Sequence, residues 1–101
     1  MTRLAGDSPR RLGPAFTDAL QYAAELHGHQ TRKGGEIPYV GHLLSVAALV
    51  IDDGGTEDQV IAALLHDAAE DQGGKPRLAE IGRRFGPDVE AVVKACSDTA
   101  L

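Results

Sequence analysis

His66 and Asp67 stand side by side in the segment Val60–Asp71, and Glu70 and Asp71 follow one helical turn later. A stretch rich in alanine and leucine that carries an imidazole and three carboxylates must surround them with something positive, because burying such groups uncompensated is costly. A divalent metal ion meets that need. Around a helix, His66, Asp67, Glu70 and Asp71 fall within an arc of about 140°, opposite Ile61, Leu64, Leu65, Ala68 and Ala69, so one face packs and the other does chemistry. Standing alone, a His-Asp pair near a helix end is more often solvated surface. Here a second histidine, His42, follows the apolar segment Ile37–Gly41 and opens a run read as a predominantly buried helix, where the alternative is a satisfied core histidine. Two imidazoles and a carboxylate make a ligand set suited to Mn²⁺, Fe²⁺ or Zn²⁺ rather than Ca²⁺, with coordination positions left for water or substrate. Such an ion acidifies water and polarises phosphoryl oxygens, so hydrolysis of a phosphate ester is the natural reaction.

The surrounding pattern predicts the elements that position these groups. A first helix opens near Pro14 with a stripe of Phe16, Leu20, Ala23, Ala24 and His27; His27 and His29 lie at its C-terminal end, where the helix dipole favours them. Gln30–Glu36 is a polar loop with adjacent cations, Arg32 and Lys33, and two glycines, suited to a flexible approach to an anion or to a plain solvated turn. A helix from about Tyr39 to Asp52 follows, ended by Gly54-Gly55. Thr56-Glu57-Asp58-Gln59 has the form of a capping box and starts the helix that delivers His66 to Asp71. Pro76 then opens a helix with Leu78, Ile81 and Phe85 on its apolar stripe, and Pro87 opens another whose Val89, Val92, Val93 and Cys96 face inward, before a polar ending from Ser97. Residues 1–13 show no periodicity and read as a tail before a single domain over 14–101.

Composition narrows the class. With 101 residues the chain builds one small domain, and 4% aromatic residues among 43% hydrophobic ones favour packed helices over a sheet: the expected fold is all-α. A net charge of −5 argues against a nucleic-acid surface, which needs a basic face to neutralise phosphates. The lone Cys96 cannot form an internal disulfide and reads as a small core residue, no apolar run reaches the length of a membrane span, and the first residues carry no signal-peptide stretch, so a cytoplasmic protein is expected.

The order Gln30-x-Arg32-Lys33-x-Gly35, then Pro38-Tyr39-x-x-His42, then Leu64-Leu65-His66-Asp67-x-x-Glu70-Asp71, then Phe85-Gly86 before a valine-rich helix, closely resembles the HD-superfamily metal-dependent phosphohydrolases. Within them it looks most like the hydrolase domain of the Rel/SpoT alarmone enzymes and their small stand-alone relatives, from about Phe16 to Asp98. The resemblance implies a helical bundle of about five helices that holds one divalent metal, Mn²⁺ first, and removes the 3′-pyrophosphate from guanosine tetra- or pentaphosphate. It implies His42, His66 and Asp67 as metal ligands, Glu70 and Asp71 as the groups that activate water and protonate the leaving oxygen, and Arg32 and Lys33 as the loop against the guanine and its phosphates. Tyr39 is expected to pack beside the metal-bearing helix rather than to react. Leu43 replaces the family's proline after the histidine, and the family's later aspartate ligand, in an Ala-Asp-Lys/Arg-x-His-Asn motif, has no match here. The expectation is therefore a bundle without the family's C-terminal helices, weaker metal binding, and self-association through uncovered apolar helix faces. Two other readings stay open: an HD nucleotidase or phosphodiesterase with another substrate, and a noncatalytic metal- or nucleotide-binding module.

Overall fold

The computed structural model describes residues 11–99, which form six helices: α1 (Pro14–Leu26), α2 (Val40–Asp52), α3 (Glu57–Leu65), α4 (Ala68–Asp71), α5 (Gly74–Phe85) and α6 (Pro87–Thr99). The all-α expectation holds. The helix predicted to run on to Asp71 is two, α3 and α4, with His66 and Asp67 at the break between them. Residues 1–10 of the expected tail, and Ala100 and Leu101, lie outside the described residues. Among the described residues no helix is long and apolar enough to cross a membrane.

Helix α3 is the axis of the bundle. Every residue from Val60 to Leu65 is buried, and α1, α2 and α6 all pack on it, as an element that is apolar on all sides requires. Its start is the predicted capping box: Gln59 N–H donates to Thr56 Oγ1 at 3.2 Å and Thr56 N–H donates to Gln59 Oε1 at 2.8 Å, which stabilises the helix by about 1 kcal/mol. The next residue caps a different helix. Glu57 Oε2 accepts from Gly13 N–H at 2.6 Å and from Phe16 N–H at 3.3 Å, supplying a carboxylate to the N-terminus of α1, whose own N-cap glycine has no side chain to offer.

Helix α1 buries Ala19, Tyr22 and Ala23, so its inner stripe is rotated from the predicted one and Ala24 is exposed. Tyr22 reaches α5, where its hydroxyl donates to Glu80 and accepts from Arg77 Nη1 at 3.0 Å, and Arg84 lies 4.2 Å over the ring. Helix α5 begins at Gly74, which places Pro76 third in the helix, in the first turn, where a missing N–H removes no intrahelical bond.

Two helices are less covered than predicted. In α2 only Leu43 and Ala47 are buried, while Leu44, Leu49 and Ile51 are exposed, because among the described residues α2 packs chiefly on α3. In α6 Val89 and Val93 are buried, but Val92 is exposed and so is Cys96, which is not the core residue expected. Both border an open groove of about 440 Å³ between α2, α3 and α6 that also reaches His66. Helix α6 runs on to Thr99, so Ser97–Thr99 is helical rather than a polar turn.

Candidate metal centre

The break after Leu65 has a local cause. His66 Nδ1 lies 2.6 Å from the carbonyl oxygen of Ala63 and donates its hydrogen there. In an uninterrupted helix that carbonyl would accept from the Asp67 N–H, so the imidazole takes the backbone's partner and the helix ends. Asp67 sits at φ −98°, ψ −2°, away from the helical ψ, before α4 resumes. The same bond fixes the tautomer: with hydrogen on Nδ1, the His66 Nε2 lone pair is free to ligate.

That nitrogen points at the neighbouring carboxylate. His66 Nε2 is 3.1 Å and His42 Nε2 3.8 Å from Asp67 Oδ2, the two rings are 5.7 Å apart, and one ligand atom from each of the three residues lies within 4.8 Å of the others. Ligand atoms that share one ion at about 2.1 Å stand roughly 3 to 3.5 Å apart, so this donor set fits a single divalent cation after small side-chain adjustments. All three residues are half-buried, open enough for water or substrate to complete the coordination.

Tyr39 locks the carboxylate. Its ring lies between His27, 5.4 Å away, and His42, 5.3 Å away, and its hydroxyl donates to Asp67 Oδ2. It packs beside His42 and also orients the Asp67 carboxylate. Burial first, and then the bond to Asp67, push the Tyr39 phenol well above its ordinary range, so it remains a donor at neutral pH. Tyr22 is raised as well, mainly by burial and by Glu80. In the unfolded chain both phenols titrate near their ordinary value of 10.0, whereas the folded chain keeps these protons to higher pH. The stabilisation is therefore complete below about pH 10 and declines above it as the unfolded state releases protons that the folded state retains. Denaturant unfolding between about pH 9 and pH 11 should show this decline, and Tyr39→Phe should flatten it.

The remaining predicted residues are distributed unequally. Asp71, at the end of α4, accepts a hydrogen bond from Gln30 Nε2 at 3.3 Å and is near enough to act electrostatically on the Tyr39 phenol. Glu70 borders a different cleft, about 270 Å³ in volume, with Lys75, Leu78, Lys94 and Ser97. The four-residue chemical face predicted for one continuous helix is thus divided by the break. Arg32 and Lys33 are exposed on a short hairpin rather than a flexible loop: Arg32 N–H donates to Ile37 O and Tyr39 N–H to Gln30 O, both at 2.8 Å, and Thr31 pairs with Pro38. Arg32 is near enough to act electrostatically on the Tyr39 phenol. Sequence reasoning did not single out Gln30, Gln72 or the buried state of His27; a glutamine two residues before the Arg-Lys pair was legible only as part of the motif.

Two imidazoles and an aspartate, one from α2 and two from the break between α3 and α4, are the constellation of an HD domain, and the chain belongs to that family: residues 19–100 match it. Named relatives make the comparison narrower. The guanosine-3′,5′-bis(diphosphate) 3′-pyrophosphohydrolase MESH1 of Xenopus tropicalis is 40% identical over 84 residues, 80% of this chain and 46% of that protein. The guanosine-3′,5′-bis(diphosphate) 3′-pyrophosphohydrolase of Aquifex aeolicus is 43% identical over 76 residues, 75% of this chain and 10% of that protein. A solved structure of a metazoan ortholog of SpoT, described as hydrolysing ppGpp and playing a role in starvation responses, superposes with a TM-score of 0.74 at 36% identity, over 83% of this chain and 48% of that one. The chain thus spans about half the length of its short relatives and a tenth of the long one.

Proposed function

We propose that the chain is a cytoplasmic, metal-dependent phosphohydrolase that removes the 3′-pyrophosphate of guanosine-3′,5′-bis(diphosphate). The observation that carries the reading is the convergence of His42 Nε2, His66 Nε2 and Asp67 Oδ2 on one point, in a chain whose relatives bear that activity in their names. His42, His66 and Asp67 would hold the ion, Mn²⁺ in preference to Fe²⁺ or Zn²⁺. When bound, a divalent ion supplies Lewis acidity toward the phosphoryl oxygens and lowers the pKa of water. The protein supplies the rest. Tyr39 holds the Asp67 carboxylate in place through its hydroxyl, and the bond from His66 Nδ1 to Ala63 O keeps the opposite ring nitrogen aimed at the site. Asp71 and Glu70 would share the proton transfers, one activating the attacking water and the other protonating the 3′ oxygen as it leaves, with Asp71 the first candidate for the water. Arg32 and Lys33, at the exposed hairpin, meet the nucleotide's phosphates.

The test is direct. Incubated with Mn²⁺ and guanosine-3′,5′-bis(diphosphate), the chain should release GDP and pyrophosphate in equal amounts, each turnover consuming one water. Cleavage of a different nucleotide with this one untouched would move the assignment to another phosphate ester, and binding without turnover would make the chain a binding module.

A further inference from the structure

We propose that Gln30 is a positioning residue for Asp71, and that the buried imidazole of His27, together with Gln72, fixes which way the Gln30 amide points. In assigning Asp71 a part in hydrolysis the inference rests on the function proposed above; its geometry stands apart from it. Gln30 follows the end of α1 and joins three parts of the chain. Its Oε1 is 2.7 Å from His27 Nδ1 and accepts from Gln72 Nε2 at 2.8 Å, while its Nε2 donates to Asp71 Oδ2 at 3.3 Å. Its backbone is pinned as well: Gln30 N–H donates to His27 O at 3.0 Å, and Gln30 O accepts from Tyr39 N–H at 2.8 Å.

Only one orientation of the amide satisfies all three neighbours. Turned over, its oxygen would face a carboxylate oxygen of Asp71, which can only accept, and its NH₂ would meet the NH₂ of Gln72 unless that amide turned over as well. With the oxygen toward His27, the imidazole must carry hydrogen on Nδ1, since otherwise two lone pairs would meet at 2.7 Å. The burial of His27 makes the same choice. The residue is 1% exposed and its Nε2 has no partner, so a hydrogen placed there would be a stranded donor. His27 therefore acts on Gln30, and Gln30 on Asp71. The arrangement has a use: Asp71 is an exposed residue at the end of a four-residue helix, and the Gln30 amide makes the one side-chain hydrogen bond recorded for its carboxylate among the described residues.

The experiment compares the parent chain with Gln30→Leu, His27→Leu and His27→Asn, the last keeping an N–H at the place of Nδ1. Long-range ¹⁵N spectra should show the His27 hydrogen on Nδ1, and the Gln30 side-chain amide signals should move in Asp71→Ala and in His27→Leu. In Mn²⁺-loaded protein, Gln30→Leu and His27→Leu should lower kcat about tenfold to a hundredfold, as a misplaced catalytic group does, with KM and bound Mn²⁺ unchanged, and His27→Asn should restore most of that loss. A His27 hydrogen on Nε2, Gln30 amide signals indifferent to Asp71→Ala, or His27→Asn as impaired as His27→Leu would each overturn the relay. If the parent chain hydrolyses no nucleotide, the functional reading fails, and the tautomer and amide signals still decide the relay.

Discussion

His66→Ala is expected to empty the chain of bound metal and to abolish hydrolysis together. Losing one of the three proposed ligands exceeds what loss of an outer partner costs, so metal affinity should fall by more than about a hundredfold. With the ion gone, its several kcal/mol of charge stabilisation go too, which lowers turnover by about a thousandfold or more. The fold should survive. Once the ring is gone, the Ala63 carbonyl that it occupied is free to accept from the Asp67 N–H, and α3 can run on into α4. Metal analysis by mass spectrometry beside circular dichroism separates the two effects: metal content drops and helicity holds or rises. Metal retained at parental stoichiometry would place the centre elsewhere.

The second large effect is an inequality between neighbours. Asp71→Asn should lower kcat by about a hundredfold to ten-thousandfold, the range for loss of a general acid or base, while leaving metal content and KM near parental values. Glu70→Gln should cost much less. Adjacent carboxylates on one regular helix would be hard to tell apart in advance, but here Asp71 is held by Gln30 and acts electrostatically on the Tyr39 phenol that bonds Asp67, while Glu70 opens onto the cleft of Lys75 and Leu78. Steady-state kinetics of the two variants decides it, and a larger loss in Glu70→Gln would reverse the roles.

What could be read in advance follows from how local each cause is. The capping box at Thr56 is a four-residue device and was legible as written, as were Pro14 and Pro87 at helix starts. The grouping of His42, His66 and Asp67 was legible because ligand chemistry restricts residue type and the motif restricts spacing. The break after Leu65 was not, since it depends on a ring nitrogen competing with a backbone N–H, which a helical wheel does not represent. That omission placed Glu70 and Asp71 on one face. The outward Leu49, Val92 and Cys96 mark a different gap: hydrophobic periodicity reports which residues are able to be covered, and cover depends on another element lying over them. His27 was placed correctly at the end of α1, but its neighbour Tyr39, 5.4 Å away ring to ring, comes from the far side of the hairpin.

The hairpin that carries Arg32 and Lys33 is closed by main-chain atoms. Its bonds run from Arg32 N–H to Ile37 O, from Tyr39 N–H to Gln30 O and from Gly35 N–H to Arg32 O. Backbone amides are common to nearly all residue types, so within the tip only Gly34, at φ +78° in the left-handed region that favours glycine, is held by its identity. On the function proposed above, a library randomised at Lys33, Gly35 and Glu36 with Gly34 kept is the place to look for altered nucleotide choice in a chain that still folds.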